Sequence, residues 1–247
     1  MSNRIAAKLL AEFIGTFALI FIGAGAAAVV GGAGLAGVAA IAFAHGLTVM
    51  AFDFAYGPVS GGHFNPSVTT AVLAAGAMRA GEAAGYIVSQ LVGGLLGALL
   101  LEAALGGADT GLGTPMLAHN LALGATTLTV TPWAGYVIEA VLGFFLSTVV
   151  LSAAVAGRAG NLAPLAIVMT LVLNIIMAGP LTGAAFNPAR ALGPMVATGN
   201  FSDAWLYLTA PIVGAIVAAI LHTGLARLAQ ERMASAGPRT AARTPAE

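Results

Sequence analysis

The chain alternates between long apolar stretches and short polar or glycine-containing connections. Six of these stretches are near or above the ~20 residues that an α-helix needs to cross a bilayer core, although the fifth is short. They lie at about Ile5–Val30, Gly34–Ala55, Ala83–Leu105, Trp133–Ala156, Leu162–Gly179 and Ala204–Leu228. The pattern predicts six membrane-spanning helices.

Two shorter apolar runs each follow an Asn-Pro pair, Asn65-Pro66 and Asn187-Pro188. Asn is a preferred helix N-cap and Pro suits the first helical position, so both pairs predict helix starts. Helices of about 9–11 residues are roughly 14–17 Å long, which is about half of a ~30 Å hydrocarbon core. Two such half-helices meeting at their amino ends would place non-helical backbone at the midplane, which is tolerated only where it is buried or lines a water-filled cavity. A pore is therefore expected.

Composition supports a membrane protein and excludes several other classes. The chain is 59% hydrophobic and 7% charged, with a mean hydropathy of +0.97, whereas a soluble domain is about 25% charged. Its net charge of zero gives no electrostatic reason to bind nucleic acid. The absence of Cys excludes disulfides, thiolate metal sites and a Cys nucleophile. No nucleophile–base pair or metal-ligand cluster is evident, so we expect no cofactor, no metal and no enzyme activity.

The basic residues indicate an orientation. With six spans and two re-entrant loops, the positive-inside rule places both termini in the cytoplasm, together with Arg4, Lys8, Arg79, Arg158, Arg227, Arg232, Arg239 and Arg243. Arg190 is the exception on the opposite half. The end of the chain, from about Gln230, is rich in Ala, Arg, Thr and Pro and is typical of a disordered tail. We assign residues 1–235 to a single channel domain and 236–247 to a disordered cytoplasmic tail.

The domain is made of two repeats, at about residues 5–120 and 121–230. The Asn-Pro pair of the first repeat recurs in the second, and Glu12 recurs as Glu139 at nearly the same separation. The set Tyr86, Gln90 and Gly93 recurs as Tyr207, Pro211 and Gly214. Three spans per repeat is an odd number, so the repeats have inverted topology and share a site near the midplane. The predicted fold class is an all-α membrane protein with six transmembrane helices and two re-entrant half-helices.

These motifs carry a resemblance to a known family. The segments Gly61-Gly62-His63-Phe64-Asn65-Pro66-Ser67 and Asn187-Pro188-Ala189-Arg190, set in inverted three-span repeats over about residues 5–228, resemble the major intrinsic protein family, the aquaporins. Ser67 stands where that family usually has Ala, and we expect this difference to have little effect. The resemblance implies a homotetramer in a lipid bilayer with one pore in each subunit.

The resemblance also implies a selectivity filter formed by His45, Ile175, Ala184 and Arg190. This set is similar to that of the plant tonoplast intrinsic proteins, which pass water and, in many members, ammonia, urea or hydrogen peroxide. His119, in the long third loop, resembles a His that those proteins can add to the filter. Glycerol facilitators usually have Asp and Arg at two places near the second box where this chain has Ala191 and Met195.

Each candidate residue also has a plainer structural interpretation. Asn65 and Asn187 are expected to cap their half-helices through the side-chain oxygen, which leaves the amide nitrogen free to donate to water in the pore. Arg190 either lines the pore or pairs with loop carbonyls, and an Arg at that depth is a functional-site hypothesis by default. Glu12 and Glu139 occur once in each repeat and are expected to accept hydrogen bonds from the re-entrant loops. His63 either lines the inner vestibule or supports its loop.

The sequence favours a passive channel in the plasma membrane for water, with ammonia or other small neutral solutes, that excludes protons and ions. A glycerol or small-polyol facilitator is the first alternative. A secondary transporter is a second, because inverted repeats with broken helices also build transporters. A non-conducting structural membrane protein is a third, although no bulky aromatic residue occupies the four filter positions.

Overall fold

The computed structural model describes residues 2–31 and 34–235. Its helices are α1 (Ser2–Ala18), α2 (Gly25–Val30), α3 (Gly34–Ser60), α4 (Pro66–Ala74), α5 (Ala80–Leu105), α6 (Pro132–Val150), α7 (Ala163–Thr182), α8 (Pro188–Thr198) and α9 (Ala204–Ser235). Six helical segments among these residues are long and apolar enough to cross a membrane. The two short helices that begin at the Asn-Pro pairs, α4 and α8, are the predicted half-helices. The predicted fold class is thereby confirmed.

Two of the membrane-spanning helices contain a wider, π-helical turn that the apolar pattern did not reveal. One turn, Leu19–Ala24, joins α1 to α2, and the other, Leu151–Val155, extends α6. A π turn inserts one residue into the helical repeat and re-aims the side chains beside it. The first of these turns brings Gly23 so close to the ring of His45 that a Cβ at Gly23 would lie 2.6 Å from His45 Cδ2.

The structure differs from the sequence prediction at two other places. The loop before α6 contains a short antiparallel hairpin, β1 (Leu121–Leu123) with β2 (Thr126–Leu128), in which Ala122 pairs with Thr127. The last helix continues beyond Gln230 to Ser235, so the expectation that the tail begins at about Gln230 is wrong. Leu, Ala, Gln, Glu, Arg and Met are all good helix formers, which explains the extension. The predicted tail over residues 236–247, with Arg239 and Arg243, lies outside the described residues.

The two repeats pack in the same way at their centres. In the first repeat Gly93 of α5 lies against the carbonyl oxygen of Phe13 in α1, and in the second Gly214 of α9 lies against that of Ala140 in α6. Both contacts leave no room for a Cβ. In a bilayer, small residues of this kind allow the backbones of neighbouring helices to approach closely. This approach holds α1 against α5 in the first repeat and α6 against α9 in the second.

The close approach at Gly214 generates a prediction about stability. Gly214→Ala should lower the melting temperature of the detergent-solubilised protein, because the new methyl group must push α9 away from α6. Overpacking costs about 1–3 kcal/mol, which corresponds to a decrease of several degrees for a chain of this size. The matched control is Gly224→Ala in the same helix, where a Cβ meets nothing within 4 Å. Equal melting temperatures for the two variants would contradict this explanation of the packing.

Candidate functional site

The two half-helices meet at their amino ends, and each end is capped by its Asn. Asn65 Oδ1 accepts a hydrogen bond from the backbone N–H of Ser67 at 2.8 Å. Asn187 Oδ1 accepts from the backbone N–H groups of Ala189 at 3.0 Å and Arg190 at 3.2 Å. Pro66 and Pro188 occupy the first helical positions, where a backbone donor is not needed. Two helix N-termini, with their partial positive charges, therefore lie next to each other.

The Asn side chains also connect the two half-helices. Asn65 Nδ2 donates to the carbonyl oxygen of Phe186, and Asn187 Nδ2 donates to that of Phe64, both at 3.0 Å. The expectation that each amide nitrogen is left free is therefore only half right. A carboxamide nitrogen carries two hydrogens, of which this contact takes one. One N–H of each Asn remains for another acceptor.

Glu12 holds the loop that leads into α4. Its Oε1 accepts from the Ser60 hydroxyl at 2.7 Å and the backbone N–H of His63 at 3.0 Å. Its Oε2 accepts from the backbone N–H of Phe64 and from Gln90 Nε2, both at 2.7 Å. The carboxylate is completely buried. One α1 side chain thus satisfies several donors of a loop that has no secondary-structure partner.

Glu139 does the same for the loop that leads into α8. Its Oε1 accepts from the Thr182 hydroxyl at 2.6 Å and the backbone N–H of Ala185 at 3.0 Å, and its Oε2 accepts from the backbone N–H of Phe186 at 2.6 Å. Phe64 and Phe186, the residues before the two Asn, both have positive φ values, of 47° and 31°. Such values are rare for a bulky residue and persist only where surrounding contacts enforce them. The Glu contacts supply that enforcement in both repeats.

A narrow cavity, which we call the inner cavity, lies beside these tips. Its volume is about 30 Å³, and a single water needs about 10–15 Å³, so it can hold only a few water molecules. Its polar lining includes Asn65, Asn187, His63, His45 and Arg190. Much of the remaining wall is aliphatic and comes from the spanning helices, including Leu19, Val49, Leu146, Val150, Ile167 and Leu171. A few polar groups therefore face an otherwise apolar wall.

A wider cavity of about 360 Å³, which we call the outer cavity, meets the inner cavity at Arg190. Arg190 is only 4% exposed, and its Nη1 donates to the carbonyl oxygen of Gly113 at 2.8 Å. Its Nε has no hydrogen-bond partner among the described residues. The guanidinium thus retains donors that the surrounding chain does not use. Both interpretations of Arg190, pore lining and pairing with a loop carbonyl, agree with its position.

The other three predicted filter residues lie around the same junction. His45 and Ala184 line the inner cavity, and Ile175 lines the outer cavity. His45 Nδ1 is 2.9 Å from the carbonyl oxygen of Ile41, which can only accept, so Nδ1 is the donor. In the neutral ring Nε2 is then an acceptor, and it is buried without a partner among the described residues. In this tautomer His45 therefore offers an acceptor and no further donor.

The other two histidines singled out from the sequence, His63 and His119, lie in different surroundings. His63 lines the inner cavity, its Nδ1 lies 3.0 Å from Thr69 Oγ1, and its ring meets that of Tyr86 edge-on at 5.2 Å. It therefore lines the cavity and also contacts α4 and α5 through its ring. His119 is exposed and lies next to the β1–β2 hairpin. It is not among the residues that line either cavity, so its position gives no support to the expectation that it extends the filter.

Some groups at this site were not anticipated from the sequence. The carbonyl oxygens of Phe64, Phe186 and Gly113 accept from Asn187, Asn65 and Arg190, but a backbone carbonyl has no sequence signature. Gln90 donates to both Glu12 and Thr69. The counterpart of Gln90 in the second repeat is Pro211, which has no side-chain donor. This difference between the repeats was the signal in the sequence that could have identified Gln90 as part of the site.

Six membrane-spanning helices around two capped half-helices and a narrow polar-lined cavity define a membrane channel of the aquaporin type. Sequence comparison agrees, because the profile of the family described as "Major intrinsic protein" matches residues 1–222. The chain belongs to the major intrinsic protein family, whose members are membrane channels for small solutes.

Relatives with different names are identical to this chain at similar percentages of positions. The chain is 38% identical to "Aquaporin NIP1-2" of Oryza sativa subsp. japonica, with 85% of this chain and 69% of that protein covered. It is 37% identical to "Glycerol uptake facilitator protein-like 6" of Lactiplantibacillus plantarum, with 86% and 94% covered. It is also 37% identical to "Aquaporin TIP4-4" of Zea mays, with 88% and 85% covered.

Among solved structures, the fold is similar to the X-ray structure of the aquaglyceroporin from Plasmodium falciparum. The TM-score is 0.75 at 23% sequence identity, and the match covers 92% of this chain and 99% of that one. At this identity the likeness supports the fold alone.

The contacts of Glu139 generate a prediction about loop stability. Glu139→Gln keeps the shape of the side chain but turns an amide N–H₂ towards backbone donors, so that at least one buried donor loses its acceptor. An unsatisfied buried donor costs about 1–3 kcal/mol, and we expect a clear decrease in melting temperature, measured in detergent. The control is Glu102→Gln near the end of α5, where the carboxylate is partly exposed. An unchanged melting temperature for Glu139→Gln would mean that the loop does not depend on this carboxylate.

Proposed function

We propose that the protein is a passive channel for water that also passes ammonia or other small neutral solutes, such as urea or hydrogen peroxide, and excludes protons and ions. The observation that carries this proposal is the inner cavity of about 30 Å³ with Asn65 and Asn187 in its wall. The remaining N–H of each Asn would donate to the oxygen of a water molecule as it passes. A channel that is this narrow and otherwise mostly apolar would hold water in single file.

Exclusion of protons and cations follows from the same geometry. Each helix N-terminus is equivalent to about half a positive charge, and α4 and α8 point both of theirs at the centre of the cavity. A water molecule that accepts from both Asn residues has its hydrogens turned away from the centre. It cannot relay a proton through that point, and the positive field also opposes cations.

We propose that His45, Ile175, Ala184 and Arg190 form the selectivity filter at the junction of the two cavities. Arg190 supplies charged donors and a field that repels cations, and His45 Nε2 supplies an acceptor. Ile175 and Ala184 add no hydrogen-bonding group, so this filter is more apolar than one with His and Thr at those positions. A less polar and wider filter favours ammonia and urea alongside water.

Overall similarity does not select a solute, because relatives with the names "Aquaporin" and "Glycerol uptake facilitator" are equally distant. The alternative is therefore a facilitator of glycerol or another small polyol. Ala191 and Met195 are both completely buried, and neither is the charged residue typical of glycerol facilitators. The transporter alternative has less support, since the buried carboxylates of Glu12 and Glu139 are engaged by their loops.

Three further proposals concern the setting of the channel. We infer that both termini lie in the cytoplasm, from the distribution of basic residues, and we propose the plasma membrane as the location. Lys8 and Glu82 form an ion pair of 2.6 Å on the side assigned to the cytoplasm. We also infer a homotetramer, on the basis of the family resemblance. Chemical crosslinking in membranes tests the assembly, and a protease site added to a terminus tests the orientation.

The function is tested by solute-by-solute flux in liposomes that contain the purified protein. Stopped-flow light scattering should show fast water flux with a low activation energy, and flux of ammonia and urea that does not saturate and needs no ion gradient. Empty liposomes provide the baseline. Glycerol flux exceeding that of urea would favour the polyol alternative, while saturable flux driven by an ion gradient would favour a transporter.

Arg190 provides the sharpest prediction about selectivity. Arg190→Ala should raise urea permeability several-fold and admit protons, because loss of the guanidinium widens the filter and removes the charge that repels cations. Urea swelling and a pH-sensitive dye inside the liposomes measure the two effects. Arg158→Ala, which removes an exposed Arg between α6 and α7, is the control and should leave both unchanged. If Arg190→Ala matches this control, Arg190 is not part of the filter.

A further inference from the structure

Ser67 is the residue at which the first box departs from the second, and its hydroxyl is fully engaged. The side chain is completely buried at the second position of α4. Its Oγ lies 2.8 Å from Asn65 Oδ1 and 3.1 Å from the carbonyl oxygen of Phe186. Both of these oxygens can only accept, so the Ser67 hydroxyl is the donor and shares its single proton between them.

The two Asn caps are consequently built differently. Asn187 Oδ1 receives the backbone N–H groups of the second and third helical residues, Ala189 and Arg190. Asn65 Oδ1 receives only one backbone N–H, that of Ser67, and the Ser67 hydroxyl takes the place of the second donor. At the equivalent position Ala189 has no such group. The orientation of the Asn65 carboxamide thus depends on a hydroxyl that the other repeat does not have.

For the same reason, the two carbonyl oxygens that join the half-helices accept different numbers of hydrogen bonds. The carbonyl oxygen of Phe64 accepts from Asn187 Nδ2. The carbonyl oxygen of Phe186 accepts from both Asn65 Nδ2 and Ser67 Oγ. Ser67 therefore ties α4 to the loop of the opposite repeat as well as to its own cap.

Ser in place of Ala was expected to have little effect, but its contacts point to a role: we propose that Ser67 is a positioning residue that fixes the Asn65 carboxamide so that its remaining N–H points into the inner cavity. The rotation of a terminal amide about its last bond is broad unless its neighbours hold it, and two donors on Oδ1 hold it here. Hydrogen bonds accepted by an amide oxygen also polarise the group and strengthen its N–H as a donor. The consequence for flux rests on the proposed function, whereas the effect on the Asn65 amide does not.

The test uses Ser67→Ala in the full chain in liposomes, with Ser147→Ala as the matched control. The control is well matched because Ser147 is also completely buried, but its hydroxyl has no hydrogen-bond partner among the described residues. The Ser67 variant is expected to fold, since Ala189 is tolerated at the equivalent position. It should move the side-chain amide signal of Asn65 in ¹⁵N solid-state NMR and leave that of Asn187 unchanged. It should also lower water permeability about three-fold, the size of effect expected from one weakened neutral hydrogen bond.

Ser67→Cys separates the hydrogen bond from the volume of the side chain. Cys is close to Ser in shape, but its S–H is a weak donor. If the hydroxyl bond positions Asn65, the Cys variant follows the Ala variant in both measurements. If the Ala variant acts only by leaving a small void, the Cys variant behaves like the unmodified protein, and this result overturns the proposal.

Two further outcomes are decisive. An unchanged Asn65 signal in Ser67→Ala, or an Asn65 signal that moves while the flux equals that of Ser147→Ala, overturns the positioning role. If the unmodified protein conducts no water, the proposed function fails. The NMR comparison then decides by itself: a moved Asn65 signal supports the positioning of the amide, and an unmoved one overturns it.

Discussion

Peptide groups cannot be left without hydrogen bonds at the depth of a hydrocarbon core, and two loops of this protein must turn there. Their donors are met by two completely buried carboxylates, Glu12 for the loop into α4 and Glu139 for the loop into α8. With these contacts in place, Phe64 and Phe186 can hold the backbone conformation that starts each half-helix. The position of both Asn caps, and hence of the cavity beside them, depends on this constraint.

The two repeats share several of the contacts that support their half-helices. Tyr86 and Tyr207 donate to equivalent carbonyls at the ends of α3 and α7, those of Ser60 and Thr182. Close helix approaches at Gly93 and Gly214 are also equivalent. The first repeat adds polar contacts that the second does not have, through Gln90 and Ser67. Pseudo-symmetry therefore determines where the two tips meet, and the departures from it determine how firmly each tip is held.

The proposed filter brings one charged side chain, one neutral polar side chain and two apolar side chains together in a small space. Arg190 brings a charge to a buried position, which is costly unless water or a dipole compensates it. The Gly113 carbonyl takes one of its donors, and the junction of the two cavities is the place where water can take others. His45 also lines the inner cavity, and its Nδ1 donates to the Ile41 carbonyl. The apolar side chains of Ile175 and Ala184 leave these two residues as the polar groups of the proposed filter.

The length of the apolar stretches, the Asn-Pro pairs and the internal repeat by themselves determined the six spans, both half-helices and the equivalent loop-holding roles of Glu12 and Glu139. These features depend on the thickness of the bilayer core, on helix capping and on backbone donors that must be satisfied. Tertiary structure alone decided the π turn that brings Gly23 against His45, the use of one Asn N–H across the tips, the exposed position of His119 and the bonds of Ser67. The approach of Gly23 to His45, the Asn bonds across the tips and the bond from Ser67 to Phe186 join segments far apart in the chain. No spacing along a single segment encodes such contacts, because they form only when the two repeats pack together.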